Sequence, residues 1–233
     1  MCGRKTLTKD IASIIKEMDI EEWEAHDYKP NYNVAPTQFS PVIINKDSNR
    51  VAKMMKWGLI PTWSKNQNIS SKMINARLET LLEKPSFNSL VNRNRCVVLA
   101  DGYYEWDKHN SQPYYITHHN KKILPLAGLW TEWETPNLTT VLSYTVVTTT
   151  PTKNIAHIHN RMPVVLGKQN INKWINCKDH SIFNCLKKIQ LKKTTLQFYP
   201  VSNTVNSIKN NSIECIKPKI SQNTINLFSK NIK

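Results

Sequence analysis

The chain has 233 residues, of which 32 are Lys or Arg and 17 are Asp or Glu, so its formal net charge is +15. This length fits one large domain or two small ones, and neither a membrane-spanning apolar run nor a secretory signal is present in the sequence. A basic excess of this size favours a polyanionic partner, either nucleic acid or an anionic membrane, over an acidic protein substrate. We therefore expect a soluble intracellular protein.

The cysteines indicate the redox compartment. The chain has five cysteines, an odd number that are widely spaced and form no CxxC pair. This pattern argues against both a disulfide framework and a zinc site, and it favours a reduced compartment. We expect no metal and no cofactor. The cysteines are Cys2, Cys96, Cys177, Cys185 and Cys215.

The chain begins Met1-Cys2-Gly3-Arg4. An initiator Met before a small residue is normally trimmed, which would leave Cys2 with a free α-amine and a thiol on adjacent carbons. An α-amine titrates near ~8, against ~10.4 for a lysine, so at neutral pH it is the better nucleophile towards a carbonyl. Amine and thiol together can close a thiazolidine ring on an aldehyde, and the second attack is intramolecular. The alternative is that Cys2 is merely a small residue after the start.

The first predicted elements surround an irregular segment. A helix with Thr8 as its N-cap is predicted through Met18, since Ile11, Ile14, Ile15 and Met18 have helical spacing. Two prolines break up residues 28–38, an aromatic and amide-rich loop that either stacks bases or packs on the surface. Residues 42–45 and 51–55 predict a hairpin around residues 46–49.

Two tryptophans, Trp57 and Trp63, follow the hairpin within seven residues that also include Gly and Pro, so we expect one of them to be exposed. Next, Asn75, Arg77 and Glu79 alternate with apolar residues, which places their side chains on one face of an extended segment. This polar face is either a functional surface or ordinary surface decoration.

The most informative interior segment is residues 93–106. Residues 96–100 predict a buried strand that leads into Tyr103-Tyr104-Glu105-Trp106. Glu105, flanked by aromatic residues, should be partly desolvated, which raises a carboxyl pKa towards neutrality and makes a usable general acid. The alternative is a structural pair between Glu105 and an arginine.

Further strands are predicted at residues 113–117, 123–133, 143–150 and 197–201, and helices at residues 172–177 and 181–187. His159 lies beside Arg161 just before a strand, a position typical of an active-site histidine, although a lone histidine is more often structural.

Only six of the 32 basic residues are Arg, and five of these fall in the segments described above. Those five are candidates for specific contacts, because a planar guanidinium grips phosphate or carboxylate well. They are Arg4, Arg77, Arg93, Arg95 and Arg161.

Together these segments resemble the SRAP family, the SOS-response-associated peptidase domain, from Cys2 to Pro218. The matching stretches, in chain order, are MCGR at 1–4, NYNVAPT at 31–37, WGLIPTW at 57–63, NARLET at 75–80, RCVVLADGYYEW at 95–106, LAGLW at 126–130, IHNRMP at 158–163 and PVS at 200–202. The chain departs from the family at Lys5, where an aromatic residue is usual, at Leu99, where Pro is common, and at Asn160, where Asp is common.

The resemblance implies an α+β fold, a single domain at residues 2–218 with an open, barrel-like mixed or antiparallel β core flanked by helices. It also implies covalent capture of abasic sites in single-stranded DNA through a thiazolidine on the N-terminal Cys. By match to the family's motifs, Cys2 is the nucleophile and Asn75 orients it or the opened sugar. Glu105 is the acid–base group, and His159 shuttles a proton. Arg4, Arg77 and Arg161 hold phosphates, and Trp57 and Tyr32 stack on or wedge bases.

Two other functions remain open from the sequence. The first is a cysteine or N-terminal-nucleophile peptidase, including self-removal of Met1, with Cys2, His159 and Asn75 or Glu105 as a triad-like set. The second is a non-catalytic reader of modified DNA. In either DNA-directed case we expect a monomer in the nucleoid-associated cytoplasm, or in the nucleus of a eukaryote.

The polar tail at residues 219–233 lies beyond the resemblance. Within it, Gln222, Ile225 and Phe228 have the spacing Q-x-x-I-x-x-F, a degenerate form of a sliding-clamp-binding peptide. The alternative is that the apolar residues fold back on the domain as a last amphipathic turn.

Overall fold

The computed structural model describes residues 2–178 and 196–219, and its elements are mostly strands. The described helices are α1 (Ile11–Met18), α2 (Pro85–Val91) and α3 (Ile171–Ile175). The described strands are β1 (Lys5–Leu7), β2 (Glu22–Trp23), β3 (Asn31–Val34), β4 (Phe39–Lys46), β5 (Asn49–Trp57), β6 (Asn75–Arg77), β7 (Arg95–Ala100), β8 (Gly102–Trp106), β9 (Pro113–His118), β10 (Leu124–Glu134), β11 (Thr140–Thr149), β12 (Met162–Pro163) and β13 (Leu196–Pro200). In this part of the chain no helix has the length and apolarity needed to cross a membrane.

Five of the described strands close into a barrel. Strands β5, β4, β7, β10 and β11 pair in that order as antiparallel neighbours, and β11 returns to β5 through a parallel pairing at Ser143–Lys56 and Tyr144–Trp57. The short strands β6 and β12 also pair with β11. This confirms an α+β fold around a barrel-like core, and the β5–β11 pairing closes the ring.

The predicted hairpin is confirmed as β4 and β5. Its turn residues Asp47 and Ser48 both have positive φ, 51° and 72°, the conformation that lets a two-residue turn follow the twist of the strands. Gly58, just after β5, has φ 121°, and a Cβ there would lie 2.3 Å from the Ser70 carbonyl oxygen. Glycine is therefore required where the chain leaves the barrel.

A second sheet packs against the barrel. Its strand order is β13-β9-β8-β1-β3, so β1 lies inside the sheet, between β8 and the edge strand β3. All three residues of β1 are buried. Cys2 lies three residues before the first residue of this strand, Lys5.

The helix predictions need two corrections. The N-cap of α1 is Asp10, whose side chain accepts the Ser13 N–H at 2.8 Å, and not Thr8. Thr8 cannot cap the helix because its hydroxyl and N–H both donate to Asp101, at 2.7 and 2.6 Å. Helix α3 ends at Ile175, two residues before the predicted end. The predicted helix at 181–187 and the Q-x-x-I-x-x-F segment lie outside the described residues.

The remaining predicted strands are confirmed with small shifts at their ends. Strand β7 is buried at all six residues, as its apolar run predicts, since it has barrel neighbours on both sides. The predictions at 113–117, 123–133, 143–150 and 197–201 correspond to β9, β10, β11 and β13.

Candidate active site

Cys2 lies inside the protein, at the entrance to β1. It is fully buried and belongs to an apolar cluster that includes alternate residues of the barrel strands, such as Cys96 and Val98 of β7. Burial raises the pKa of its thiol, and the neighbouring Glu105 carboxylate raises it further. The thiol is therefore protonated at neutral pH.

Asn75 holds the main chain of Cys2. Its carboxamide nitrogen donates to the Cys2 carbonyl oxygen at 2.9 Å, which joins two segments 73 residues apart. The position of Asn75 is fixed by the barrel, because β6 pairs with β11 and the preceding carbonyl, that of Ile74, accepts from Val146 N–H and from the Trp57 indole. The Asn75 carboxamide oxygen is buried and has no hydrogen-bond partner among the described residues. It is therefore an acceptor available to a ligand.

Glu105 lies on β8 and is only 3% exposed. Successive residues of a strand point to opposite faces, so Glu105 shares a face with Tyr103, and Tyr104 and Trp106 share the other. Burial raises the pKa of Glu105 to about 7. The predicted desolvation is confirmed, and a carboxyl group with this pKa can both give and take a proton at neutral pH.

His159 lies in the loop between β11 and β12. The Arg161 N–H donates to its Nδ1 at 3.0 Å, so Nδ1 is an acceptor and the proton of the neutral ring is on Nε2. Burial lowers the pKa of His159, and the charge of Lys108 contributes to this. Lys108 also lowers the pKa of Glu105, so imidazole and carboxyl group lie within range of the same surface charge.

Arg161 connects the His159 loop to the Asn75 segment. Its guanidinium forms a two-pronged ion pair with Glu79, at 2.9 and 2.8 Å, and donates to the Thr148 carbonyl at 2.6 Å. The ion pair lowers the pKa of Glu79. Asn75 and His159 are thereby held on either side of β11. A phosphate at Arg161 would have to compete with Glu79 or use the guanidinium Nε, which has no described partner.

The other two arginines predicted to bind phosphate, Arg4 and Arg77, differ in how far protein contacts already engage their side chains. The Arg4 guanidinium donates to Asn33 Oδ1 at 2.7 Å and to the Val205 carbonyl at 2.8 Å, and it lies 5.8 Å from the centre of the Trp106 ring. Arg77 is exposed, and its side chain makes no hydrogen bond or ion pair with the residues that the structure describes. Arg77 is therefore the freer of the two to meet a ligand.

The predicted aromatic contacts need one correction. Trp57 is fully buried, stacks on Tyr144 at a centroid distance of 6.2 Å and donates its indole N–H to Ile74, so it offers no face to a base. The expectation that one tryptophan is exposed is confirmed by Trp63, which is 62% exposed. Tyr32 is half-buried, and its carbonyl accepts from the Tyr104 hydroxyl at 2.7 Å.

Sequence reasoning missed the location of Lys5. This lysine is fully buried, and its amine donates to Ser40 Oγ at 2.6 Å and to the Leu99 carbonyl at 2.8 Å. On one side Leu99 lies opposite Pro125 of β10. On the other side the pairing of β4 with β7 ends at Val42 and Val98, so the next residue of β4 towards Leu99 is Pro41. Neither proline has an N–H to offer this carbonyl. The only signal in the sequence was an unusual residue close to Cys2.

The fold and this group of residues define a barrel-based α+β protein with a buried N-terminal cysteine as its candidate nucleophile. The chain belongs to the SRAP family, described as SOS response associated peptidase, which it matches over residues 1–208. Among its relatives, abasic site processing protein YoqW of Bacillus subtilis is 40% identical over 222 residues, which cover 93% of this chain and 99% of YoqW. Abasic site processing protein HMCES of Xenopus tropicalis is 35% identical, over 93% of this chain and 78% of its own length.

Solved structures support the fold. A crystal structure of a Bacteroides thetaiotaomicron protein superposes with a TM-score of 0.81 at 21% identity and covers 94% of this chain and 100% of its own. A Bordetella bronchiseptica protein superposes with a TM-score of 0.73, also at 21% identity, over 86% of this chain and 100% of its own. At this level of identity the likeness concerns the fold alone.

Proposed function

We propose that this protein processes abasic sites in single-stranded DNA by forming a covalent thiazolidine between Cys2 and the opened sugar, after Met1 has been removed. The observation that carries the proposal is the hydrogen bond from Asn75 to the Cys2 carbonyl, beside a carboxyl group whose pKa is close to neutral. It is supported by the relatives, which carry the name of abasic site processing proteins.

The chemistry begins at the Cys2 α-amine, which attacks the sugar aldehyde and forms a carbinolamine. Glu105, with a pKa of about 7, is half protonated at neutral pH and can protonate the departing hydroxyl as water. His159 has a lowered pKa and is neutral, so it can accept the proton that the amine releases. The thiol then adds to the resulting iminium carbon and closes the five-membered ring.

Asn75 has two tasks in this scheme. Its amide nitrogen donates one hydrogen bond that fixes the main chain of Cys2, and so the direction of attack by the α-amine beside it. Its open carboxamide oxygen can accept a hydrogen bond from a hydroxyl of the opened sugar. Such positioning makes the intramolecular second step fast.

Single-stranded DNA suits the charge and the surface. The net charge of +15 favours a polyanion, and the exposed Arg77 follows Asn75 on β6, next to the proposed sugar site. We propose that Arg77 binds the phosphate beside the abasic nucleotide. Arg4 and Arg161 would bind phosphates of the same DNA strand if phosphates replaced their present hydrogen-bond partners.

A cysteine peptidase is supported less well. Such an enzyme attacks with a thiolate that a neighbouring imidazolium stabilises. Here the pKa of the Cys2 thiol is raised and that of His159 is lowered, so both groups are neutral at pH 7. A neutral thiol beside a soon-to-be-free α-amine suits ring closure on an imine better than attack on a peptide.

The test is to incubate the Met1-trimmed protein with a single-stranded oligonucleotide that carries one abasic site. A band shift that survives heat and denaturant is expected, and Cys2→Ser should give only an adduct that needs borohydride to persist. A stable adduct with Cys2→Ser would contradict the thiazolidine, and no adduct with the unsubstituted protein would contradict the function.

We also propose that the tail recruits the protein to replication forks by binding a sliding clamp through Gln222, Ile225 and Phe228. A peptide of residues 222–233 should bind the clamp of the source organism more tightly than millimolar. Phe228→Ala should abolish that binding. Binding of the unsubstituted peptide no tighter than millimolar, or binding that Phe228→Ala leaves unchanged, would exclude the clamp as a partner.

A further inference from the structure

The face of the small sheet that carries Glu105 continues into aromatic residues. Glu105 of β8 lies directly opposite Tyr114 of β9, so the two side chains share one face of the sheet. On the next strand, β13, Phe198 lies opposite Ile116, which puts Phe198 on that same face and diagonal to Tyr114. The Tyr114 and Phe198 rings meet edge to face, with their centroids 6.2 Å apart and their planes at 62°. Two aromatic rings therefore extend outward from the proposed acid–base group.

His157 joins these rings from the barrel side. It lies in the loop between β11 and β12, two residues before His159. Its ring meets the Phe198 ring edge to face, at a centroid distance of 5.3 Å and an angle of 61°. Tyr114, Phe198 and His157 thus form one group, the flanking aromatic cluster, which extends from the neighbour of Glu105 to the loop that carries His159.

The flanking aromatic cluster reaches the surface of the protein. Tyr114 and Phe198 are half-buried, and His157 is exposed. In an edge-to-face pair one ring turns its edge to the other, so its own two faces stay clear of that partner. The cluster therefore combines accessible apolar ring area with ring faces that its own contacts do not use.

The position of the cluster relative to Arg77 follows from the pairing of β11. Thr148 of this strand pairs with Arg77 of β6 on one edge and with Pro163 of β12 on the other. The loop that carries His157 and His159 leads into β12, so it lies across β11 from Arg77. A strand of DNA that passes over the nucleophile would therefore meet Arg77 on one side of the abasic sugar and the flanking aromatic cluster on the other.

A nucleobase suits this location. An abasic nucleotide has no base, so the base next to it lacks a stacking partner on one of its faces. Aromatic side chains stack on any base, which suits a protein that accepts abasic sites in any sequence. Lys153, in the same loop as His157, is exposed and adds positive charge for the phosphates of the strand.

We propose that the flanking aromatic cluster binds, by stacking, the base next to the abasic sugar on the side nearer His159. The inference rests on the proposed function for the identity of the bound strand, and it adds a specific site for a neighbouring base. A stacked neighbour would hold the abasic sugar between two fixed points, the cluster and the phosphate at Arg77.

The test uses a single strand with a tetrahydrofuran residue at its centre. This residue mimics the abasic sugar but has no aldehyde, so binding is measured without reaction. The fluorescent base 2-aminopurine is placed next to it on the 5′ side in one strand and on the 3′ side in another, and its emission falls when it stacks on an aromatic ring. Saturating Met1-trimmed protein should quench the probe at one position through the cluster.

Tyr114→Leu and Phe198→Leu should remove that quenching and weaken affinity ~tenfold, within the range for loss of one stacked base. Tyr114→Phe keeps the ring and should retain both the quenching and the affinity. His157→Leu changes an exposed residue, so it should reduce the same quenching without affecting the fold. Trp23→Leu is the matched control and should quench as the wild type does, because Trp23 is also half-buried and paired edge to face, with Tyr28, but lies on β2.

Three results would overturn the inference: no quenching at either position, wild-type quenching in every leucine variant of the cluster, or an equal loss in Trp23→Leu. Circular dichroism checks the fold of each variant, and His157→Leu decides the matter if the half-buried positions do not tolerate leucine. The proposed function has its own readout, the heat-stable adduct with a natural abasic strand. If that adduct does not form, the proposed function fails, while the quenching still decides whether the cluster binds a base.

Discussion

Asn75 donates a hydrogen bond to the main-chain carbonyl of Cys2 at 2.9 Å, although the two residues are 73 positions apart. Cys2 stands before β1, an interior strand of the small sheet, and Asn75 begins a strand that pairs with the barrel. This contact therefore ties the N-terminal segment to the barrel. Removal of Met1 would free an α-amine directly beside the anchored carbonyl.

Asn75→Ala should slow formation of the stable adduct by roughly 10–100-fold, because the α-amine loses its fixed direction of attack. Affinity for undamaged single strands should stay the same, as measured by fluorescence anisotropy. Asn172→Ala is the matched control, since its carboxamide accepts the Arg50 Nε–H at 2.8 Å without contacting a site residue and should affect stability without slowing the reaction in the folded protein. Equal kinetic losses in both variants would make Asn75 purely structural.

Glu105→Gln should slow adduct formation by roughly 10²–10⁴, because Gln can neither give nor take a proton. Binding to undamaged strands should be nearly unchanged. Single-turnover kinetics on an abasic oligonucleotide measure the rate. A loss of binding as large as the loss of rate would argue that Glu105 only holds the site together.

The same substitution should change how stability depends on pH. The pKa of Glu105 is about 7 in the folded protein against an ordinary value of 4.5, so between these values the folded state binds the proton more tightly than the unfolded one. Wild-type stability therefore falls as pH rises through this window, and Glu105→Gln avoids the loss, with a gain of up to about 3 kcal/mol at pH 8. Urea unfolding at pH 5 and pH 8 checks this, with the exposed Glu134→Gln as control. A difference between Glu105→Gln and wild type that is the same at both pH values would contradict the assigned pKa.

Arg77→Ala should weaken binding to single strands and flatten its dependence on salt by about 0.7, the slope that one phosphate contact contributes. Arg93→Ala removes an equally exposed arginine from a different segment and should leave the slope nearly unchanged. Titrations between low and moderate salt give both slopes. If Arg77→Ala leaves the slope unchanged, Arg77 is not in the DNA path.

Trp57 and Trp63 should respond differently to truncation. Trp57→Ala removes a buried ring that stacks on Tyr144 and donates to Ile74, which should cost ~3–5 kcal/mol of stability. Trp63→Ala removes a ring that is 62% exposed and should change stability by about 0.5 kcal/mol or less. Urea denaturation measures both, and a similar cost for the two would contradict the burial of Trp57.

Local patterns in the sequence predicted the elements that depend on neighbouring residues. The apolar run of β7, the turn of the β4–β5 hairpin and the desolvated Glu105 could all be read from short stretches. The N-cap of α1 could not, because Thr8 has the right chemistry but is taken by Asp101, a residue 93 positions away. The period of two placed Asn75 and Arg77 on one face, but it could not show which of them faces Cys2.

The sequence by itself determined the chemistry available to this protein: an N-terminal amine and thiol, a carboxyl group among aromatics, a histidine before a strand and a large positive charge. Only the tertiary structure decided which groups meet. It buried Trp57, paired Arg161 with Glu79, joined Asn75 to Cys2 and buried Lys5 with its amine bonded to Ser40 and Leu99. The physical reason is that burial and long-range pairing set the pKa and the freedom of a side chain, and both arise when strands distant in sequence close one barrel and cover it with a second sheet.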